Sequence, residues 1–555
     1  MSHTAPLASR LGTLSQRVRG PAADAVLVGL AVAVIHALAR MSDLIGVGSF
    51  HDDGVYMALG KSIADGTGYR SIYTPGDPVH LKYPPGLPLI LATLWNVAGT
   101  LDAVTRLHGV LTLAAVGTAA ACLWWLARNE LKLDTFLTLL VGMSPFLLEG
   151  PMQYYHLVLS EPHFLAAWAA GLVTYAAVRR REAGTGRTPA LAAALGLIVA
   201  WTALLRTQGI VLVPAILAAM HVDRFRRSTV TAFAGTALAP IVMWAAIHRV
   251  MVTKGPVSLQ PDEMGYASWL KVSSVGEAIE LAGRSLAFNW TWYWRDFPGS
   301  LVETRVAGIT LVTALALLTA LGAVVAFRRQ SPLVLTVAAT IGLIALWPWP
   351  QDRFVYGFLP VAALLAGTGL QYALDRCSRP VVLGAKCALA LIALLALTWQ
   401  IEIRRAAYRP GSPRLTMGVT APGHTFLANT RYLIAVSQWV RANTGPDDRL
   451  MVDSPAAVYL YTGRKAVNAS PGERGVGRSA FEVPSRYVAQ QVINEGVTVV
   501  IPGSPQLTAG LRSIEERCPG MFAVAATKEA RPSVRAYRVV GDRGCLRAMT
   551  GDDGR

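Results

Sequence analysis

Two aspartates, Asp52 and Asp53, stand side by side in HDDGVYMALGKSIADGTGYRS, residues 51–71, directly after an apolar run from Ala23 to Ala39. A carboxylate held there can take a proton from a hydroxyl group, which is general-base work. A lone aspartate after an apolar helix is more often a cap or a solvated loop residue, so the chemical reading depends on what else reaches the same face. Lys82 precedes Pro84, Pro85 and Gly86 in HLKYPPGLPLILA, residues 80–92, and the prolines restrict the backbone that carries the lysine. The plainer reading is a lysine snorkelling to the headgroups. Ser160-Glu161-Pro162, Arg206-Thr207-Gln208-Gly209 and Gln351-Asp352-Arg353-Phe354, the last flanked by Trp347, Trp349 and Pro350, add further acids and cations. Arg206 is the sharpest of these, because arginine is disfavoured in a short outer turn. Together they describe a cavity suited to a phosphorylated lipid.

The acid pair suggests a divalent metal as an alternative. Neighbouring side chains on an extended segment point apart, however, so neither a metal nor another cofactor is expected. Tyr56, Leu59 and Ile63 share one side of a helix over Tyr56 to Ala64. That helix is expected to lie parallel to the membrane surface and hold the acids against it.

The elements that must position these residues are read from the apolar runs. Of 555 residues, 53% are hydrophobic and 15% charged, and the apolar residues recur in runs of about 15 to 24, close to the length of a membrane-crossing helix. Arg10, Arg17 and Arg19 lead into the first run, which is read as an uncleaved helix. Basic loops at Arg128 to Lys132, Arg179 to Arg187, Asp223 to Arg227, Phe327 to Gln330 and Asp375 to Arg379 read as cytoplasmic. Spans are expected near 23–43, 104–127, 134–149, 161–178, 189–205, 209–222, 229–250, 305–326, 331–348, 354–374 and 381–400, eleven in all. The segment Gly86 to Gly99 is read as interfacial, because a crossing there would turn every later basic loop outward. The span at 209–222 is short and can pair with its predecessor as a shallow hairpin. The net charge of +17 lies mainly in these loops and the tail, which fits positive-inside topology and anionic headgroups and speaks against nucleic acid as a partner.

The chain therefore divides into a basic leader (1–22), a transmembrane region (23–400) whose first outer loop (44–103) carries the acids, and a tail (401–555). Residues 251–304 form a second outer stretch, in which Trp290, Trp292, Tyr293 and Trp294 cluster as an interfacial belt or a sugar-stacking surface. The tail reads as a small α/β domain, with a helix at Tyr432 to Asn443 and strand-like runs at Arg449 to Val452, Thr498 to Ile501 and Ala536 to Val540. Cys518 and Cys545 can pair as a disulfide there if the tail is extracytoplasmic. No nucleotide-binding glycine fingerprint, P-loop or catalytic triad motif appears in it. The fold class is a polytopic α-helical membrane protein of about 11 helices with a C-terminal extracytoplasmic α/β domain.

Asp52-Asp53-Gly-Val-Tyr56, Lys82-Tyr-Pro84-Pro85, Ser160-Glu161-Pro162, Leu205-Arg206 and Arg353-Phe354 with Pro360 following resemble the GT-C membrane glycosyltransferases. The resembling branch holds the protein O-mannosyltransferases and the lipid A aminoarabinose transferases, and the likeness covers roughly residues 20–375. The chain departs from it in having Asp53 where many relatives carry glutamate and Tyr83 between the lysine and the prolines. The resemblance implies transfer of a sugar from a polyprenyl-phosphate donor to an acceptor hydroxyl on a lipid, protein or polysaccharide at the outer face of the inner membrane, with inversion. It implies Asp52 as general base, with Asp53 the other member of the pair, Lys82 and Arg206 on the leaving phosphate, and Arg353 as a second phosphate ligand. Tyr56 supports the pair and Glu161 holds a cation. The rivals are a transporter or flippase lined by the same charges, and a membrane-anchored glycan-binding protein. Against the transporter stands the absence of an internal repeat or of paired interrupted helices in the sequence.

Overall fold

The computed structural model describes residues 21–40, 46–184, 188–256, 274–295, 305–347, 352–408, 422–469, 485–503, 505–526 and 534–550. The basic leader with Arg10, Arg17 and Arg19, and Trp349, Pro350 and Gln351, lie outside the described residues.

Each expected span falls on a helix. Six described helices are long and apolar enough to cross a membrane: Ala22–Arg40, Leu101–Asn129, Arg227–Lys254, Gly308–Ala326, Arg353–Leu374 and Arg379–Thr398. The expected span at 134–149 is instead a broken one, Thr135–Leu147 followed by Gly150–His156 at 57°. Pro151 has no N–H to give to Leu147 and its ring crowds that carbonyl, so a straight helix cannot continue. Gly86–Ala98, Pro189–Leu205, Thr207–Val222 and Ser331–Leu346 are shorter apolar helices. The third of these opens as a 3₁₀ turn, Thr207–Val211, before the α-helix Leu212–Val222, with Pro214 unable to bond back to Ile210.

The expected cytoplasmic loops meet at one end of the bundle. Glu130 pairs with Arg179 (2.8 Å) and Arg180 (2.5 Å) and accepts from Gln330 (2.6 Å). Asp223 accepts from Tyr175 (2.9 Å) and Ser331 (3.2 Å), and Asp134 pairs with Lys386 (2.8 Å). Five basic loops gathered at one end is the arrangement that positive-inside topology requires.

The first outer loop is a packed unit. Its helices Asp52–Ala64 and Gly86–Ala98 enclose Tyr56, Met57, Leu59, Leu87 and Leu91, and each aliphatic side chain so buried contributes about 1.5–3 kcal/mol. The Asp52–Ala64 helix is buried along most of its length, so it does not lie on the surface as the Tyr56, Leu59 and Ile63 spacing suggests. Tyr56 and Leu59 are inside, packed with Leu87 and Leu91 of the next helix, while Ile63 is only partly buried.

The tail contains a five-stranded sheet in the order β2-β1-β3-β5-β4, with β1 (Leu450–Val452), β2 (Ala466–Asn468), β3 (Val499–Ile501), β4 (Phe522–Ala526) and β5 (Arg535–Val539). β1 runs parallel to β2 and β3, while β5 is antiparallel to β3 and β4. Cys518 and Cys545 form a disulfide with Cα atoms 5.9 Å apart, and Cys122, Cys377 and Cys387 are free.

This domain is docked on the first outer loop. Thr430 accepts from the Gly46 amide (2.9 Å), Asn429 donates to the Ser49 carbonyl (2.8 Å) and Tyr461 to the Val47 carbonyl (3.0 Å). Lys465 pairs with Asp77 (2.6 Å), and the Ala466 amide donates to the Tyr73 carbonyl (2.8 Å). Two segments in direct contact share one side of a membrane, so the chain crosses an even number of times between them. The interfacial reading of Gly86–Ala98, with ten crossings after it, meets that condition.

A cysteine probe at Gly66 and a reporter fused after Arg555 should therefore report the same, non-cytoplasmic side; opposite sides would refute the docking. Thiol labelling of denatured, unreduced protein should count only Cys122, Cys377 and Cys387. Replacing Cys518 and Cys545 together by serine should cost the tail about 3.5 kcal/mol, the loop-closure value for this spacing, read from denaturant unfolding.

Candidate functional site

Backbone geometry places the acids. Gly48 sits at φ +93°, and a Cβ there would fall on the Cβ of Ala457 in the tail helix Pro455–Thr462. His51 follows at φ +70°, a left-handed conformation that few non-glycine residues adopt, and its side chain reaches the Asp453 backbone in the tail. The helix then starts at Asp52, so both aspartates occupy a first helical turn rather than an extended segment. Their side chains are separated by the turn of the helix, not by strand alternation.

Their partners differ. Asp52 pairs with Arg353 at 2.7 Å. Arg353 also lies 3.9 Å from Glu161, and Glu161 is ion-paired with Arg206, which in turn donates to Ser160 at 3.5 Å. The four residues form an alternating chain of charges, each of them less than a tenth exposed. Asp53 turns the other way and accepts from the Gly48 amide (2.7 Å) and the Phe50 amide (3.2 Å), bracing the entry turn.

The Lys-Tyr-Pro-Pro turn is locked from both sides. Tyr69 donates to the Tyr83 carbonyl (2.9 Å), and the Tyr83 amide donates to His80 Nε2 (3.2 Å). His80 Nδ1 is then the protonated nitrogen and faces Ser71 Oγ at 3.1 Å. A Cβ on Gly86 would meet the Leu204 carbonyl at 2.6 Å, so only glycine lets this turn close on the helix end that delivers Arg206. Lys82 remains partly exposed, with Nζ 5.3 Å from the centre of the Tyr83 ring. Tyr56 and Tyr83 pack at 4.7 Å. A small cavity beside Asp52 is lined by His51, Tyr73, His80 and Tyr83 from the loop and by Pro455 and Asn468 from the tail.

Electrostatics separates the two acids further. Burial alone would raise the Asp52 pKa, but the Arg353 guanidinium, then Lys82 and His51, override it and hold the carboxyl well below the usual range. Burial raises Asp53 to about 7 against the pull of the Gly48, Phe50 and Gly54 amides. Burial also lowers His51, and lowers His80 to about 3 with Lys82 and His248 adding to it, so both imidazoles are neutral near pH 7.

All seven residues singled out from the sequence lie on this side of the bundle. Asp52, Arg353, Glu161 and Arg206 are joined directly; Lys82 and Tyr56 border them, and Asp53 belongs to the turn beneath. His51, His80 and Tyr83 were not singled out, although each adjoins a residue that was or lies within its motif. Asp453, Pro455 and Asn468 carry no sequence signal for this site. The aromatic cluster sits on the helix Val275–Arg295. There Asn289 donates to the Ile344, Ala345 and Trp347 carbonyls at 3.1, 3.0 and 2.5 Å, which caps the helix just before Arg353.

The raised Asp53 value has a signed consequence. Between the unfolded value near 3.9 and about 7 the folded form keeps a proton that the unfolded chain has lost, so this stabilisation is full at low pH and disappears as pH rises to about 7. Asp53→Asn does not titrate, and the wild-type thermal midpoint should decline relative to it between about pH 4.5 and 7.5. A difference constant across that range would contradict the assignment.

No protein-family model matches the sequence, and no curated protein matches it. Solved structures do match. ArnT from Cupriavidus metallidurans, solved bound to undecaprenyl phosphate, has a TM-score of 0.51 at 13% identity, over 93% of this chain and 98% of that one. The archaeal oligosaccharyltransferase AglB from Archaeoglobus fulgidus, solved with an inhibitory peptide and a dolichol-phosphate, has a TM-score of 0.50 at 15% identity, over 85% and 69%. Both are GT-C proteins. The chain shares its fold with both, and with ArnT along nearly the whole length of each.

Proposed function

We propose that this protein transfers a sugar from a polyprenyl-phosphate donor to an acceptor hydroxyl at the extracytoplasmic face of the inner membrane, with inversion at the anomeric carbon. The observation that carries the proposal is the buried chain Asp52–Arg353–Glu161–Arg206 beside Lys82. An ionised carboxylate and several cations held together are what base-assisted displacement of a phosphate leaving group needs. The lipid phosphates bound in the ArnT and AglB structures belong to those proteins; the shared fold makes the same donor class the natural assignment here.

In this mechanism Asp52 accepts the proton of the acceptor hydroxyl as its oxygen attacks the anomeric carbon. The bond from that carbon to the phosphate oxygen breaks, and the electron pair leaves on the phosphate. Lys82, Arg206 and Arg353 balance the charge that builds there, and Glu161 keeps the two arginines in place. Asp53 is a positioning residue, since its oxygens are taken by backbone amides. That occupancy also leaves Asp52 and Asp53 poorly arranged to share a metal, so the proposed reaction assigns no step to one. The tail closes over the loop and is placed to meet the acceptor, which is a lipid, a protein or a polysaccharide.

Radiolabelled polyprenyl-phosphate sugar offered to the purified protein tests the reading: turnover supports it, and movement across the membrane without chemistry would replace it with a transporter. Asp52→Asn should cut transfer by about 10² to 10⁴-fold while the donor still binds. Lys82→Ala should weaken donor capture as well as slow transfer, because its charge meets phosphate in both the ground and the transition state. Undiminished transfer by Asp52→Asn would remove Asp52 as the base.

A further inference from the structure

The arginine closest to the proposed base is also a proposed phosphate ligand. The Arg353 guanidinium pairs with Asp52 at 2.7 Å, and Glu161 stands next at 3.9 Å. Glu161 is ion-paired with Arg206, so the alternating chain is balanced in charge as it stands. A carboxylate held by a guanidinium is a poor base, because taking a proton would leave that guanidinium buried without its counter-charge. The burial of Arg353 and the aromatic rings of Phe50 and Phe354, 5.0 and 5.6 Å from the guanidinium, limit it to partners at this spot.

We propose that Arg353 is a donor-operated clamp on Asp52: phosphate entering beside Lys82 and Arg206 draws the guanidinium away from the carboxylate, so that Asp52 can accept a proton only once the donor is bound. This rests on the donor reading above and adds an order to it, donor before acceptor deprotonation. Arg353 stands 2.7 Å from Asp52 and 3.9 Å from the Glu161 that is paired with Arg206, so one guanidinium spans the proposed base and the proposed phosphate-binding cations. The lowered Asp52 pKa fits the same geometry, because the guanidinium favours the ionised carboxylate over the protonated one.

A clamp of this kind is a competition, and competition shows in binding without turnover. The probe is sugar-free undecaprenyl phosphate, with undecaprenol as the uncharged control, titrated against the full chain in lipid nanodiscs. Asp52→Asn removes the competing charge, so undecaprenyl phosphate should bind it more tightly than wild type by about tenfold, within the usual range of coupling between sites. In an Arg353→Gln background, or in Arg353→Met, which keeps the apolar stem if the glutamine variant does not fold, the same Asp52→Asn change should gain nothing. Equal binding by wild type and Asp52→Asn would overturn the clamp. So would tightening that persists without Arg353, which would mark plain repulsion between carboxylate and phosphate. If wild type prefers undecaprenyl phosphate no more than undecaprenol, the donor reading itself fails and the clamp with it. Phosphate-selective binding without coupling sinks the clamp alone.

Discussion

A carboxylate and a guanidinium can share a buried site only because each neutralises the other; removing one leaves a charge whose burial costs several kcal/mol. The Asp52–Arg353 pair sets that constraint for the whole molecule. Its members come from the first loop and from the start of a late helix, with most of the bundle threaded between them. Everything else at the site follows from bringing those two together: the left-handed turn through Gly48 and His51, the amides that hold Asp53, and Glu161 placed to satisfy Arg206. The capping of the Ser331–Leu346 helix by Asn289 fixes the chain just before Arg353 arrives.

The parts of this arrangement legible in the sequence are those with a local signature. Apolar runs marked the long helices of the bundle but not Val275–Arg295, and clustered arginines marked the ends that gather around Glu130 and Asp223. The paired prolines shortly after Lys82 announced a fixed turn. The departures have equally local causes. A span broken at Pro151 reads as continuous in hydropathy, because proline is tolerated in an apolar average and only its missing N–H gives it away. The strands Ala466–Asn468 and Phe522–Ala526 lack the run of branched side chains that marks Val499–Ile501, the first pairing one valine with alanine and asparagine and the second being mostly alanine. The acid pair reads as extended chain in the sequence; the structure begins a helix there instead, and Asp53 folds back to accept from the Gly48 and Phe50 amides before it.

What no local pattern could reveal is pairing at long range. Arg353 lies among residues that resemble an ordinary interfacial helix end, and its role emerges only when its neighbour is known to be Asp52. Asp453, Pro455 and Asn468 are harder still, since they come from a domain with its own sheet, its own apolar clusters and its own disulfide. Such a domain reads as self-sufficient. Its attachment to the catalytic loop rests on backbone-directed bonds from Asn429, Thr430 and Tyr461 and on small residues, Gly48 against Ala457, that allow close approach. Contacts of that type leave no trace in composition.

That attachment bears on how the protein is made. The acids emerge from the ribosome among the earliest segments, long before their cover exists, since Ala457 and Asn468 are synthesised some four hundred residues later. Until the tail domain has folded, the loop holds a seam lined by His51 and Tyr83 uncovered. The proposed site is therefore finished by the tail, and a copy whose tail had not folded would carry an assembled bundle around a site still incomplete.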